Sequence, residues 1–173
     1  MKITGGKLKN RVIPSPKQQI VRPTSSKVRE AIFSMIGQDL QGIVFLDAFG
    51  GSGVMAIEAC SRGAESVWVS EKDPRVQRWL KRTFASFPIS VTLMKKDAKQ
   101  VIPMREWDIV FFDPPYAMDV SPFLRLAYES VRLFIIVETE KNTTLSSFPV
   151  EWERWKMKVY GNSKVTILRR KNG

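Results

Sequence analysis

The chain has 173 residues, of which 43% are hydrophobic and 26% charged, a composition typical of one globular domain and not of a disordered or coiled-coil chain. It has no histidine and one cysteine, Cys60, which excludes imidazole-based catalysis, an internal disulfide and a multi-cysteine zinc site. No apolar run reaches the roughly 18 residues of a membrane span, and the N-terminus lacks the apolar core of a signal peptide. We therefore expect a cytoplasmic protein that does not bind membranes.

The formal net charge of +11 is concentrated near the N-terminus. Residues 1–36 contain eight lysines and arginines but only one acidic residue, Glu30. A local excess of this kind favours a polyanionic partner, usually a nucleic acid, over a merely solvated basic surface.

The hydrophobic pattern divides the chain into an N-terminal segment and one larger domain. Residues 1–24 contain three prolines and show no sustained period, which predicts a basic arm or hairpin. Residues 25–173 form the predicted domain, which opens with a helix from Ser25 to Gly37. Further helices are predicted at 53–61, 74–86 and 122–130, and strands at 43–46, 66–70, 91–94, 108–112 and 133–137, before a terminal antiparallel pair at 151–159 and 164–169. This alternation predicts an α/β fold with a doubly wound, mostly parallel Rossmann-like sheet and a C-terminal antiparallel strand pair.

A glycine-rich turn, Gly50-Gly51-Ser52-Gly53, follows the first strand. Residues 51–56 satisfy the pattern G-x-G-x-x-A, and Glu71 lies 20 residues after Gly51. Taken alone, this spacing indicates a nicotinamide dinucleotide site, or else a tight turn that binds nothing.

Each of the first four predicted strands ends at or near a carboxylate: Asp47, Glu71, Asp97 and Asp113. Ligands of doubly wound sheets bind at this edge. Glu71 can accept hydrogen bonds from both hydroxyls of a ribose, or it is a solvated acid. Asp97 can accept from an adenine amino group, or it pairs locally with Lys95 or Lys96.

The segment Asp113-Pro114-Pro115-Tyr116 follows the fourth strand and carries the most specific chemistry. The two prolines fix the backbone and push Asp113 toward an extended conformation. The Asp113 carboxylate and the Pro114 carbonyl then form a rigid pair of acceptors that matches the two donors of an exocyclic amino group. Tyr116 offers an aromatic face on which a base can stack.

These motifs resemble those of class I S-adenosylmethionine-dependent methyltransferases that act on exocyclic amino groups. The N-terminal segments Ile3-Thr-Gly-Gly-Lys7, Arg22-Pro-Thr24 and Val28-Arg-Glu-Ala-Ile-Phe33, with Tyr160-Gly161 near the end, look like the RsmD family of small-subunit ribosomal RNA guanine-N2 methyltransferases. The chain departs from that family at Gly50, where alanine is usual, and it is short for the family, so late helices are expected to be abbreviated.

The resemblance implies a role for each motif. The S-adenosylmethionine-binding residues would be Asp47, Phe49, Gly50, Gly51, Ser52, Gly53, Glu71, Asp97 and Ala98. Asp113, Pro114, Pro115 and Tyr116 would form the catalytic segment, with the guanine N2 held by Asp113 and the Pro114 carbonyl. The residues that contact RNA would be Lys7, Lys9, Arg11, Arg22, Thr24, Lys27 and Arg29.

The expected mechanism needs no metal, because the sulfonium methyl group is already activated and in-line placement supplies much of the rate. Asp113 would stabilise the positive charge that develops on nitrogen. With an ordinary pKa of about 3.9 it would be a weak base, so that water would also be a candidate proton acceptor.

Three other functions stay open on the sequence alone. They are an adenine-N6 or cytosine-N4 methyltransferase, a nicotinamide oxidoreductase that uses the glycine turn, and an RNA-binding protein without activity. The expected partner is ribosomal RNA, presented within an assembling small subunit, and the protein is expected to act as a monomer. The target nucleotide is not readable from the sequence.

Overall fold

The computed structural model describes residues 1–16, 21–115, 117–145 and 147–172, which are organised around a seven-stranded sheet. The strands are β1 (Val44–Asp47), β2 (Ser66–Ser70), β3 (Thr92–Met94), β4 (Trp107–Phe112), β5 (Val131–Glu140), β6 (Trp152–Tyr160) and β7 (Ser163–Arg170). The helices are α1 (Ser26–Ile36), α2 (Val54–Ser61), α3 (Pro74–Ala85), α4 (Ala98–Val101) and α5 (Ser121–Ser130), with a 3₁₀ turn at Ile102–Met104.

The strand order is β3-β2-β1-β4-β5-β7-β6. Strands β1 to β5 run parallel, while β7 lies antiparallel between β5 and β6. The sequence prediction of a doubly wound sheet with a terminal antiparallel pair is confirmed. The strand order reverses between β1 and β4, and ligands bind at such a switch point in open α/β sheets.

Helices cover both faces of the sheet, so its central strands are buried throughout. Every residue of β1 and of β4 is buried. Helices α1, α2 and α3 pack on one face, in a core that includes Phe45, Phe111 and Ile136. Helices α4 and α5 pack on the other, against side chains such as Phe112 and Val137. Consecutive strand residues thus alternate between the two cores, as the pleat requires.

Residues 1–13 form a small loop that is docked on the domain. Lys2 and Val12 make an antiparallel bridge, and the Ile3 and Ile13 side chains are each 1% exposed in the same core as α1. The Lys7 amide donates to the Ser61 carbonyl at 2.8 Å. Since Ser61 ends α2, this loop lies near the amino ends of β1 and β2, at the edge opposite the glycine turn.

Most predicted elements are found within two residues of their expected bounds. Helix α1 is capped by the Ser25 hydroxyl and stops at Gly37, as predicted. Strand β5 is longer than predicted, because it continues past Val137 to Glu140. Residues 141–145 and 147–151, which connect β5 to β6, contain no helix. None of the helices in the described part of the chain is long and apolar enough to cross a membrane.

Candidate active site

The strand register brings carboxylates together at the carboxyl edge of the sheet. Phe112 pairs with Val137, so the next residues, Asp113 and Glu138, stand opposite each other across two parallel strands. Phe112 and Val137 face the α5 side, and the pleat therefore turns Asp113 and Glu138 to the α1 side. Asp47 faces the same way by the same alternation.

A cavity of about 930 Å³ opens at this edge of the sheet. Its volume is that of a typical small-molecule site. The sequence-predicted residues that line it are Arg22, Thr24, Asp47, Phe49, Gly50, Gly51, Ser52, Glu71, Asp97, Ala98, Asp113, Pro114 and Pro115. Gly53 lies beneath the lining as the N-cap of α2, and Tyr116 lies outside the described residues.

The glycine turn fits closely between β1 and α2. Gly53 has a φ of +79°, and a Cβ atom there would lie 2.7 Å from Leu80 Cδ2. A Cβ on Gly50 would lie 2.6 Å from Val69 Cγ1. Neither position has room for a side chain unless its neighbours move, which explains glycine at both.

Glu71 is held by backbone amides of the loops that flank it. Its Oε2 accepts from the Gly51 amide at 3.3 Å, and its Oε1 accepts from the Asp73 amide at 3.0 Å. The carboxylate therefore links the glycine turn to the start of α3 and is fixed at the cavity wall.

Asp47 lies at the floor of the cavity, where its residue is 2% exposed. Burial raises its pKa well above the usual value, and the nearby charges of Asp113 and Glu71 raise it further, while a hydrogen bond from the Phe49 amide acts in the opposite direction. A carboxylate in such surroundings favours a cationic ligand group.

Asp97 occupies a more exposed part of the cavity rim. It caps the short helix α4 by accepting from the Lys99 amide at 2.9 Å. Its ion pair is with Lys72, at 3.8 Å, and not with the neighbouring Lys95 or Lys96 that the sequence suggested as alternatives. Its adjacent residue Ala98 is buried in the cavity wall.

The Asp113 carboxyl is a stronger base than the sequence suggested, because its pKa is raised. Burial raises the pKa of its carboxyl to about 7, the charge of Glu138 adds to that rise, and the charge of Arg22 opposes it. The earlier expectation of an ordinary pKa was wrong because the residues that change it come from β5 and from the N-terminal segment. At neutral pH this carboxyl can therefore both accept and release a proton.

Glu138 is a cavity residue that the sequence reasoning missed. Its Oε2 atom is buried and has no hydrogen-bond partner among the described residues. Burial raises the pKa of Glu138, and the Ser163 hydroxyl, the Arg22 charge and the Thr24 hydroxyl act in the opposite direction. The signal that identified the other acids would have found it, because Glu138 is the first carboxylate after the fifth apolar strand.

The residues predicted to contact RNA do not form one surface. Arg22 and Thr24 line the cavity, and Lys27 is exposed on α1. Lys7, Lys9 and Arg11 belong to the N-terminal loop at the opposite edge of the sheet, where the Arg11 guanidinium stacks 5.3 Å from the Phe87 ring centre.

Arg29 was wrongly predicted to contact phosphate. Its residue is 1% exposed, and its guanidinium donates to the Thr24 carbonyl at 2.6 Å and the Lys2 carbonyl at 2.7 Å. It also pairs with the buried Glu58 carboxylate at 3.4 Å. The Arg29 guanidinium thus connects the N-terminal segment to α2, and its charge is already paired with Glu58.

The cavity fits S-adenosylmethionine, the cofactor implied by the sequence. Two acceptors suited to a ribose are fixed on Glu71, and the buried Asp47 favours an amino group or another cation. The side-chain-free wall at Gly50 and Gly51 lets a ligand approach the backbone.

Comparison with known proteins agrees with this geometry. Residues 1–169 match the sequence family described as conserved hypothetical protein 95, which is the RsmD family. The chain belongs to this family. The resemblance to RsmD proteins noted in the sequence is thereby confirmed.

Individual relatives of the RsmD family align over nearly the whole chain. Ribosomal RNA small subunit methyltransferase D of Escherichia coli K12 is 28% identical, over 98% of this chain and 90% of its own length. The protein of the same name from Haemophilus influenzae is 30% identical, over 93% of this chain and 89% of its own. A solved structure of the Escherichia coli protein yhhF superposes with a TM-score of 0.86 at 26% identity, covering 99% of this chain and 98% of the other.

Proposed function

We propose that this protein transfers a methyl group from S-adenosylmethionine to the exocyclic N2 amino group of a guanine in small-subunit ribosomal RNA, within an assembling subunit. The observation that carries the proposal is the pair of acceptors at the end of β4. Asp113 and Pro114 line the same cavity as the glycine turn and Glu71, so an amino group that they hold lies beside the predicted cofactor. The names of the relatives, which are small-subunit ribosomal RNA methyltransferases, support the choice of RNA.

The chain's own residues supply placement and a proton acceptor. Asp113 and the Pro114 carbonyl accept hydrogen bonds from the amino group, which orients its lone pair. When bound, S-adenosylmethionine supplies a sulfonium methyl group, whose bond to sulfur breaks as the bond to N2 forms and one N2 proton is released. Asp113, with its pKa of about 7, takes that proton at an Oδ atom and passes it to water.

The surroundings of Asp113 favour charge stabilisation at the amino group. The carboxyl is largely removed from water, so its attraction to a developing positive charge is stronger than at the surface. Because this stabilisation needs the ionised carboxylate, the rate should rise with pH as Asp113 ionises, approaching a plateau above about pH 7.

The experiment is transfer of labelled methyl from S-adenosylmethionine to small subunits that lack their base methylation, followed by digestion to nucleosides. The protein should release the label as N2-methylguanosine. Asp113→Asn should slow transfer by roughly 10²–10⁴-fold, the range for loss of a general base, while calorimetry should still detect cofactor binding.

Asp39→Asn is the matched control, since this exposed aspartate lies outside the cavity. It should keep the rate of the unchanged protein. Label in N6-methyladenosine or N4-methylcytidine would overturn the guanine assignment, and absence of cofactor binding would overturn methyl transfer altogether.

A further inference from the structure

Glu138 lies beside Asp113, where the ring nitrogen next to an amino group held by Asp113 would come to lie. Asp113 follows β4 directly and Glu138 lies in β5, each one residue beyond the paired Phe112 and Val137, on neighbouring strands that lie about 4.7–4.9 Å apart. Both face the α1 side of the sheet, and both line the cavity. The charge of Glu138 also raises the pKa of Asp113, in agreement with this placement.

One side-chain oxygen of Glu138, Oε2, has no hydrogen-bond partner among the described residues. Its charged and polar neighbours are Arg22, Thr24 and Ser163, together with Asp113 itself. None of them donates a hydrogen bond to Oε2, and Glu138 as a residue is half-buried and lines the cavity. A buried acceptor without a donor destabilises a folded protein, so its retention in a ligand cavity points to a donor on the ligand.

Guanine has three donors in a row along one edge: the N1–H and the two hydrogens of the N2 amino group. Adenine and cytosine also carry an amino group, but the ring nitrogen beside it is an acceptor. Two carboxylates side by side match the three donors of guanine. The same pair would repel the lone pair on adenine N1 or cytosine N3, which is discrimination by an unfavourable contact.

We propose that Glu138 contacts the base and selects guanine: its carboxylate accepts from N1–H and shares one N2 hydrogen with Asp113, while the Pro114 carbonyl accepts the other N2 hydrogen. This inference rests on the proposed function and adds a specificity-determining residue to it. Donation from the base also lowers the pKa of Glu138 and keeps its carboxylate ionised when guanine is bound.

Replacement of Glu138 by glutamine separates a base contact from a structural role. Glutamine keeps the size of the side chain and one acceptor oxygen for the Thr24 and Ser163 hydroxyls. It replaces the second oxygen by an NH2 group, which is a hydrogen-bond donor. This donor would face the N1–H of guanine, which is also a donor, so the hydrogen bond is lost. A residue that only shapes the cavity tolerates this change, whereas a residue that reads N1–H does not.

The first measurement is single-turnover methyl transfer to undermethylated small subunits by the unchanged protein, by Glu138→Gln and by Glu129→Gln. Glu129 is an exposed glutamate of α5 outside the cavity and provides the matched control. Glu138→Gln should be about 5- to 150-fold slower, the range for a good bidentate base contact, with cofactor affinity and melting temperature preserved. Glu129→Gln should match the unchanged protein.

The second measurement uses small subunits whose RNA carries 2-aminopurine at the position that the unchanged protein labels. This base keeps the C2 amino group but has an unprotonated N1. The amide of Glu138→Gln can donate to that nitrogen, so the variant should methylate 2-aminopurine at least as fast as the unchanged protein does. The unchanged protein should therefore prefer guanine to 2-aminopurine, and Glu138→Gln should prefer 2-aminopurine to guanine.

The outcomes separate this inference from the proposed function. If the unchanged protein yields no N2-methylguanosine, the proposed function fails, and the inference fails with it. If it yields N2-methylguanosine but Glu138→Gln is equally fast, or equally slow on both bases, the inference alone is overturned. Loss of cofactor binding in Glu138→Gln would also overturn it, because Glu138 would then act on the cofactor side of the cavity.

Discussion

Glu58 of α2 and Glu138 of β5, of which the first is fully buried and the second half-buried, have opposite surroundings in the fold. Glu58 is fully buried and pairs with two guanidinium groups, Arg29 at 3.4 Å and Arg62 at 3.2 Å. It also accepts from the Thr4 amide at 2.7 Å and from the Thr4 hydroxyl. Glu138 shares its surroundings with a second carboxylate, Asp113, and one of its oxygens has no partner among the described residues.

Glu58 therefore has a structural role, whereas the charges of Glu138 and Asp113 remain available to a ligand. Around Glu58, the contacts with Thr4 and Arg29 join the N-terminal segment and α1 to α2, and the contact with Arg62 lies one helical turn further along the chain. Around Glu138 and Asp113, burial without sufficient compensation raises both pKa values. Such perturbed groups cluster at functional sites because their unsatisfied charge is available to a ligand.

The largest stability effect should follow from breaking the paired cluster. Glu58→Gln leaves the buried Arg29 and Arg62 guanidinium groups without a countercharge, and we expect a loss of about 3–5 kcal/mol in the free energy of unfolding. For a chain of this size that corresponds to a fall in melting temperature of roughly 10 °C or more. Thermal unfolding by circular dichroism measures it.

Glu138→Gln, measured in the same way at pH 8, is the comparison for this prediction. It removes a charge that the fold does not neutralise, so we expect equal or higher stability than in the unchanged protein. If the two glutamine variants lost stability equally, the contrast between the two glutamates would have no energetic basis.

The second prediction concerns the pH dependence of stability. The pKa of Asp113 is about 7 in the folded protein and about 3.9 in an unfolded chain, so between these values the folded state binds more protons. Stability from this group is therefore complete below about pH 4 and is lost as the pH rises to about 7. Asp113→Asn should flatten that part of the curve.

The measurement is the melting temperature of both proteins from pH 4 to pH 8.5 at fixed ionic strength. The unchanged protein should lose more stability than Asp113→Asn across this interval. The difference between the two curves reports Asp113, because the other titrating groups are the same in both proteins. Parallel curves would show that Asp113 titrates with an ordinary pKa.

The smallest predicted effect concerns the basic residues and the proposed RNA. Arg22 lines the cavity, whereas Lys7 belongs to the loop at the opposite edge of the sheet. Arg22→Ala should weaken small-subunit binding by roughly tenfold and reduce the slope of log affinity against log salt by about 0.7–0.9, the value for one phosphate contact. Lys7→Ala should change affinity less than twofold.

Filter binding over a range of salt concentrations measures both variants. A larger effect of Lys7→Ala than of Arg22→Ala would place the RNA on the N-terminal loop and away from the cavity mouth.

The sequence predicted those parts of the site that depend on neighbours along the chain. The glycine turn, Glu71 after its strand and the Asp113-Pro114-Pro115 segment are local patterns, and the structure places all of them on the cavity or directly beneath it. The alternation of strands and helices likewise sufficed for the sheet, because each buried parallel strand is a continuous apolar run.

The errors concern properties that only the tertiary fold determines. Arg29 looks like any exposed lysine or arginine of the basic segment until Glu58, 29 residues away, is packed against it. The pKa of Asp113 depends on Glu138, which lies on β5 and comes close to Asp113 only because β5 pairs with β4. Glu138 itself follows its predicted strand directly, as Asp113 does, but its place beside Asp113 follows from the strand order, which brings β5 next to β4.

The most direct test of the account is the pKa of the Asp113 carboxyl, measured by carbon NMR titration of selectively labelled protein and of Glu138→Gln. We predict a value of about 7 in the unchanged protein. In Glu138→Gln the value should fall, because the neighbouring charge is gone, and should stay above the ordinary value because burial remains. A pKa near 4 in the unchanged protein, or no response to the loss of Glu138, would contradict the claim that the fold leaves two coupled carboxylates uncompensated at the reaction site.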